Sequence, residues 1–76
     1  MAKLLSLIVP AFNEEAVLAE SFSQMDTALA ALDGYEYEII YVDDGSRDGT
    51  WAGLTALAKA HPQVRCLRFS RNFGHQ

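Results

Sequence analysis

The sequence has little of several features that mark other classes of protein. Cys66 is its only cysteine, so no disulfide can form within the chain and no cysteine-rich zinc site is available. No apolar run approaches the roughly 20 residues that a membrane-spanning helix needs. The apolar stretch near the start is too short for a secretory signal peptide. These absences favour a soluble globular domain in a reducing compartment.

Basic residues are also scarce. Six Lys and Arg stand against ten Asp and Glu, which gives a net charge of −4. This balance argues against a nucleic-acid partner, because contacts to a phosphate backbone require clustered Lys and Arg. A nucleotide is not excluded, since carboxylates can hold its phosphates through a metal ion. With 76 residues, half of them hydrophobic, the chain forms one small domain or part of one.

The hydrophobic pattern predicts alternating strands and helices. Strands are expected where apolar, β-branched and aromatic residues run almost without interruption. Three such stretches are present, at 4–9, 37–42 and 64–69. Helical spacing of apolar residues predicts a first helix that starts after Asn13, its expected N-cap, and ends near Gly34. A second helix is expected between 51 and 61, so the order is βαβαβ.

This order predicts an α/β fold with a parallel sheet. Right-handed crossovers place the strands in the spatial order 3-2-1, which is half of a Rossmann-like, doubly wound sheet. Strand one has the most continuous apolar run, yet it lies at an edge in that order. Apolar edges are avoided, because their free N–H and C=O groups template aggregation. We therefore expect the chain to be a fragment, and either to self-associate through strand one or to be poorly soluble when no further strand covers it.

Two loops are expected to form a ligand crevice. In open α/β sheets, ligands bind beyond the carboxyl ends of the strands, and here 9–14 and 42–46 follow neighbouring strands. The first loop has no Gly-x-Gly-x-x-Gly turn, and Glu14 and Glu15 would place negative charge where a pyrophosphate should sit. Both features argue against a NAD or FAD site. An aromatic ring and a carboxylate beside the rigid Pro10 suit a base and a ribose instead.

The second loop begins with two acidic residues. Adjacent residues of a strand point to opposite sides of the sheet, so Asp43 and Asp44 should not both face a ligand. For Asp43 the favoured role is to accept hydrogen bonds from N–H groups of Ser46 or Thr50 within the turn. For Asp44 the favoured role is ligand contact. Trp51 is interpreted as a core residue of the second helix.

Three segments together resemble family 2 glycosyltransferases. They are residues 7–15, 40–50 and 70–76, and the resemblance covers essentially the whole chain. It is greatest to the polyprenyl-phosphate glycosyltransferases of the dolichol-phosphate mannosyltransferase and bactoprenol glucosyltransferase types. The ending at 71–74 is similar to the bactoprenol type in particular. The resemblance implies that residues 1–76 are the nucleotide-binding, N-terminal part of an incomplete GT-A domain.

The resemblance also implies which residues bind the nucleotide-sugar. By position, Pro10, Phe12 and Glu14 match family residues that line the nucleoside. Val42 and Asp44 match residues that contact the base or the ribose, and they share one side of the strand because they are two apart. The family more often has Tyr at the position of Phe12. Stacking survives that change, whereas a hydrogen bond from the hydroxyl does not.

Other parts implied by the resemblance lie further along than Gln76. They are the Asp-x-Asp motif that holds a divalent metal, Mg²⁺ or Mn²⁺, and a catalytic carboxylate. The complete enzyme is expected to be an inverting transferase that moves a sugar from a UDP- or GDP-sugar to a polyprenyl phosphate, in cell-wall or glycolipid biosynthesis. This chain alone is expected to transfer no sugar. We expect a cytoplasmic location, with any attachment to the cytoplasmic membrane face made by segments outside this chain.

Two other interpretations stay open on the residues alone. One is a non-catalytic, receiver-like signalling module in which Asp43 and Asp44 form an acidic phosphorylation and metal site. Receiver sites have acidic residues after strands one and three. Strand three here ends at Phe69 and is followed by Ser70 and Arg71, which argues against this interpretation. The other is a structural α/β fragment without a ligand.

Overall fold

A computed structural model describes residues 3–69, which form three parallel strands and two α-helices. The elements are β1 (Lys3–Ala11), a 3-10 turn (Glu15–Val17), α1 (Leu18–Ala30), β2 (Tyr35–Asp43), α2 (Thr50–Ala60) and β3 (Val64–Arg68). The strands lie in the order β1-β2-β3, which confirms the predicted sheet. Within residues 3–69, no helix has the length and apolar character to cross a membrane.

The pairing of β1 with β2 sets the geometry of the loops that follow. Each residue of β1 lies beside the residue 32 positions later, from Lys3 beside Tyr35 to Ala11 beside Asp43. β1 continues through Pro10, beyond the predicted limit of the strand. Proline is tolerated there because β1 is an edge strand in the described sheet, where a missing N–H need not break a ladder. The two strands therefore end side by side.

The core lies between one face of the sheet and the two helices. Its buried members are Ala11, Leu18, Phe22, Ile39, Tyr41, Leu54 and Val64. The apolar faces predicted for both helices enter this core, except at Leu32, which the helical spacing places on the face of the first helix but which lies beyond the end of α1 and is exposed. Trp51 is half-buried against it, as predicted, and the Arg68 guanidinium lies 5.2 Å from the centre of its ring.

The start of α1 differs from the prediction. Asn13 is not the N-cap of the helix, because its backbone has φ +52° and α1 begins only at Leu18. Asparagine adopts this left-handed conformation more readily than most residues. Its side-chain oxygen accepts a hydrogen bond from the N–H of Arg47 instead of from its own helix. A tertiary contact has replaced the local cap.

The opposite face of the sheet has no helix against it within residues 3–69. Leu4, Ile8 and Leu67 are exposed there by 63%, 66% and 54%. Strand alternation and register put Ile40 and Val42 on the same face, beside Ile8 and Leu67. The described part of the chain therefore presents an apolar patch on this face, beside a polar group in which Glu38 contacts Ser6 and Arg65.

Candidate functional site

A cleft of about 370 Å³ opens at the carboxyl ends of β1 and β2. Its lining residues are Pro10, Ala11, Phe12, Glu14 and Asp44. The parallel strands explain this arrangement, since their carboxyl ends meet at one edge of the sheet. Pro10, Phe12, Glu14 and Asp44, which the sequence predicts as nucleotide-binding residues, are thus brought together.

Val42, the fifth predicted residue, is not part of the cleft lining among residues 3–69. It is half-buried in β2, between Pro10 of β1 and Leu67 of β3. Its position supports the strand that leads to Asp44. Contact between Val42 and a base or ribose stays a prediction.

The two adjacent acidic residues have different surroundings. Asp43 is fully buried, and its Oδ1 accepts a hydrogen bond of 2.8 Å from the N–H of Ser46. Its Oδ2 lies 4.0 Å from Nε of Arg68. Asp44 is exposed and lines the cleft. The turn role predicted for Asp43 is confirmed, and only Asp44 of the two adjacent residues lines the cleft.

Hydrogen bonds in both directions join the loop after β1 to the loop after β2. We call the bonds between residues 13–15 and 46–50 the loop clamp. At one end, the N–H of Asn13 donates to Oγ of Ser46 at 2.9 Å, and the N–H of Arg47 donates to Oδ1 of Asn13 at 2.8 Å. This reciprocal pair fixes the backbone of Asn13 against the second loop.

The rest of the loop clamp involves the next two residues of the first loop. The N–H of Glu14 donates to Oγ1 of Thr50 at 2.8 Å, and the N–H of Glu15 donates to Oδ2 of Asp48 at 3.2 Å. In return, the N–H of Gly49 donates to Oε1 of Glu15 at 2.8 Å. A Cβ at Gly49 would lie 2.6 Å from Oε2 of Glu15, so a side chain at position 49 would displace that carboxylate. Glu15 is therefore part of the loop clamp and does not line the cleft.

The surroundings of Tyr41 and Asp48 shift the pKa values of both side chains. Burial raises the pKa of the Tyr41 phenol, and the negative charge of Glu14 raises it further. Hydrogen bonding from the Thr50 hydroxyl lowers the pKa of Asp48, which keeps that carboxylate ionised. The loop clamp therefore has a charged acceptor at its outer end.

The lining residues define what the cleft can bind. Phe12 is 48% exposed and offers an aromatic ring. The carboxylates of Glu14 and Asp44 accept hydrogen bonds from hydroxyl and N–H groups, and they repel phosphate. A flat ring with attached hydroxyl and N–H donors matches this combination.

A divalent metal does not fit the residues described. Within 3–69, no group of three or more His, Cys, Asp or Glu side chains is placed to hold an ion. Oδ1 of Asp43 accepts a hydrogen bond from Ser46, whereas its buried Oδ2 has no hydrogen-bond partner among the described residues and lies 4.0 Å from Nε of Arg68. The roles proposed for the residues of this chain therefore involve no metal.

The parallel α/β sheet, with its cleft beyond the strand ends, is the architecture of the N-terminal part of a GT-A glycosyltransferase. The chain belongs to the glycosyl transferase family 2, whose family model matches residues 6–76. This membership replaces the receiver-like interpretation of Asp43 and Asp44. The motif at 71–74, which resembles the bactoprenol type, lies outside the described residues.

Several curated proteins that are similar to this chain are named as glycosyltransferases. The chain is 42% identical to the prophage bactoprenol glucosyl transferase homolog of Escherichia coli K12 and to the bactoprenol glucosyl transferase of Shigella phage SfX, over 95% of its own length in each case. It is 40% identical to the undecaprenyl-phosphate 4-deoxy-4-formamido-L-arabinose transferase of Klebsiella pneumoniae, again over 95% of this chain. The matched region spans only 23%, 23% and 22% of these relatives.

Local sequence rules do not predict the loop clamp. They place Asn13 and Glu15 at the start of a helix, whereas both residues bond to the second loop. One feature of the sequence does hint at these contacts. The second loop contains more hydroxyl and acidic side chains than are needed to accept the hydrogen bonds of a single turn. Ser46, Asp48 and Thr50 all accept hydrogen bonds from the first loop.

Proposed function

We propose that this unit binds the nucleoside of a nucleotide-sugar in an inverting glycosyltransferase. The observation that carries the proposal is the cleft that Pro10, Phe12, Glu14 and Asp44 line together. In this proposal, residues 1–76 are the nucleotide-binding, N-terminal part of the transferase domain. The names of the bactoprenol and undecaprenyl-phosphate relatives support a polyprenyl phosphate as the acceptor.

Each lining residue has a role in this proposal. Phe12 stacks on the base, while Glu14 and Asp44 accept hydrogen bonds from ribose hydroxyls or base N–H groups. The same two carboxylates direct the diphosphate away from themselves, so the sugar points out of the cleft. Binding thus orients the donor, and holding reactants in position contributes to rate without any bond being made by these residues. We further propose a cytoplasmic location, which suits a half-buried, unpaired Cys66.

The binding test uses the complete transferase that contains this chain, titrated calorimetrically with UDP and GDP. One of the two should bind saturably, and its nucleoside should compete, because the proposed contacts are to base and ribose. Inorganic pyrophosphate is the control and should compete poorly. If neither nucleotide binds, or if pyrophosphate competes as well as the nucleoside, the proposal is wrong.

We also propose that this chain, prepared alone, associates with itself through β1. The outer edge of β1 has no partner strand within residues 3–69, and Leu4 and Ile8 beside it are exposed. The weight-average mass in sedimentation should rise with concentration, because the free N–H and C=O groups of an edge strand can pair with a strand of another copy. Ile8→Lys should suppress the rise, since lysine blocks edge pairing. Leu32→Lys, at a residue 43% exposed and outside the strands, is the matched control and should not.

A chain that stays monomeric at the highest concentration would contradict this proposal. So would equal suppression by Ile8→Lys and Leu32→Lys, since the effect would then be one of added charge.

A further inference from the structure

Asn13 lies between two residues of the cleft and is not one of them. Phe12 and Glu14 line the cleft on either side of it in the sequence. The left-handed backbone of Asn13, with φ +52°, sets the direction in which the chain passes from one to the other. Both neighbours therefore depend on the conformation at a single residue.

Hydrogen bonds link Asn13 to the opposite wall of the cleft. Its N–H donates to Oγ of Ser46 at 2.9 Å, and the N–H of Ser46 donates to Oδ1 of Asp43 at 2.8 Å. Ser46 is 6% exposed and Asp43 fully buried, so the bond between them is shielded from water, and the bond from Asn13 to Ser46 is partly shielded. Asp43 immediately precedes Asp44, the lining residue of that wall. One continuous path thus joins the backbone beside Phe12 and Glu14 to the backbone beside Asp44.

We propose that Asn13 is a positioning residue for nucleoside binding. It holds the ring of Phe12 and the carboxylate of Glu14 at a fixed distance from Asp44, and it makes no contact with the nucleoside itself. This inference rests on the proposed function of the cleft. Two properties of Asn13 are needed, namely tolerance of positive φ and a side-chain acceptor for the N–H of Arg47.

Three substitutions separate these two properties. Asn13→Asp keeps both, since Asp also adopts the left-handed region and retains an acceptor oxygen. Asn13→Gly keeps the conformation and removes the acceptor. Asn13→Ala removes the acceptor and strains the backbone.

The experiment measures the Kd of UDP and GDP by titration of the complete transferase and its variants. Loss of one hydrogen bond predicts a Kd increase of roughly 3- to 10-fold for Asn13→Gly, and Asn13→Ala should bind more weakly still. Asn13→Asp should stay within about 3-fold of the native Kd, because the acceptor is kept. In turnover assays, the KM for the donor should rise with the Kd, while kcat changes less, because Asn13 does not touch the reacting atoms.

Tyr37→Phe is the control for a purely structural effect. It removes the 2.6 Å hydrogen bond from the Tyr37 hydroxyl to Oδ1 of Asp26, away from the cleft, and should lower stability without changing the Kd. If Asn13→Gly and Asn13→Ala bind as the native protein does, the inference is wrong. It is equally wrong if Tyr37→Phe weakens binding as much, because loss of stability alone would then explain the result.

The proposed function can fail separately. A native transferase that binds neither UDP nor GDP overturns the proposed function and, with it, this inference. Native binding with unchanged Asn13 variants overturns the inference alone. Hydrogen exchange at the amide of Arg47 provides a direct check, since it should speed up in Asn13→Gly and Asn13→Ala but not in Asn13→Asp.

Discussion

Asp44→Ala is expected to weaken nucleoside diphosphate binding by roughly 10- to 150-fold. In the proposed function, this is the loss of one charge-assisted hydrogen bond to the nucleoside, worth about 1.5–3 kcal/mol. The Asp44 carboxylate lies on the exposed side of β2's end, in the cleft with Phe12 and Glu14. The hydrogen bond from the N–H of Ser46 within the turn is made to Asp43, not to Asp44. Calorimetric titration of the complete transferase with UDP and GDP measures the change.

Asp43→Ala is the matched comparison. It should lower stability more than Asp44→Ala does, and nucleotide binding less. Removing the buried carboxylate leaves the N–H of Ser46 without its acceptor, at a cost of about 1–3 kcal/mol in stability. Nucleotide binding by the protein that remains folded should fall less than in Asp44→Ala. Asp43→Asn retains an acceptor oxygen and should recover part of the stability. If Asp43→Ala proves the worse binder, the two faces of the strand have been assigned the wrong way round.

Leu54→Ala should have the largest effect on stability, a loss of about 2–5 kcal/mol. Leu54 is fully buried in the core shared by α2 and the sheet, so its truncation leaves a cavity that the neighbours fill only partly. Small domains have a total stability of only about 5–15 kcal/mol. The substitution should therefore remove a large share of the free energy of unfolding. Urea unfolding followed by circular dichroism measures it, from the shift of the midpoint at constant slope.

Leu32→Ala provides the same change of side chain at an exposed position. Leu32 is 43% exposed and follows the end of α1, so the expected loss is within about 0.5 kcal/mol. Equal losses in the two variants would show that the core does not lie where the described structure puts it.

Most of the fold follows from patterns that are local in the sequence. Leu18 and Phe22, one helical turn apart, identify the buried face of α1. The handedness of crossovers then orders the strands, and strand alternation separates Asp43 from Asp44. These predictions succeed because each depends either on the repeat of a single helix or strand or on the connection between two neighbouring strands.

The loop clamp could not be predicted in this way. Its bonds join residues 33–36 positions apart, and no local pattern specifies them. Asn followed by two Glu is typical of a helix start, because an N-cap and early acidic residues stabilise that end. At Asn13 a neighbouring loop supplies the N–H of Arg47, and this partner replaces the local one. The conformation of Asn13 is therefore set by a contact with a distant loop and not by the local preference for a helix N-cap.

The loop clamp also has a consequence for how β1 and β2 align as the chain folds. Parallel strands have no tight turn between them to fix their register, and the long crossover through α1 leaves room for alternatives. A slip of one residue would turn every side chain of β1 to the other face and shift Asn13 by about 3.3 Å along the strand. Asn13 would then lose both Ser46 and Arg47. The contacts that shape the cleft can thus form in only one register of β1 against β2. A sheet with any other register would lack both the loop clamp and the cleft.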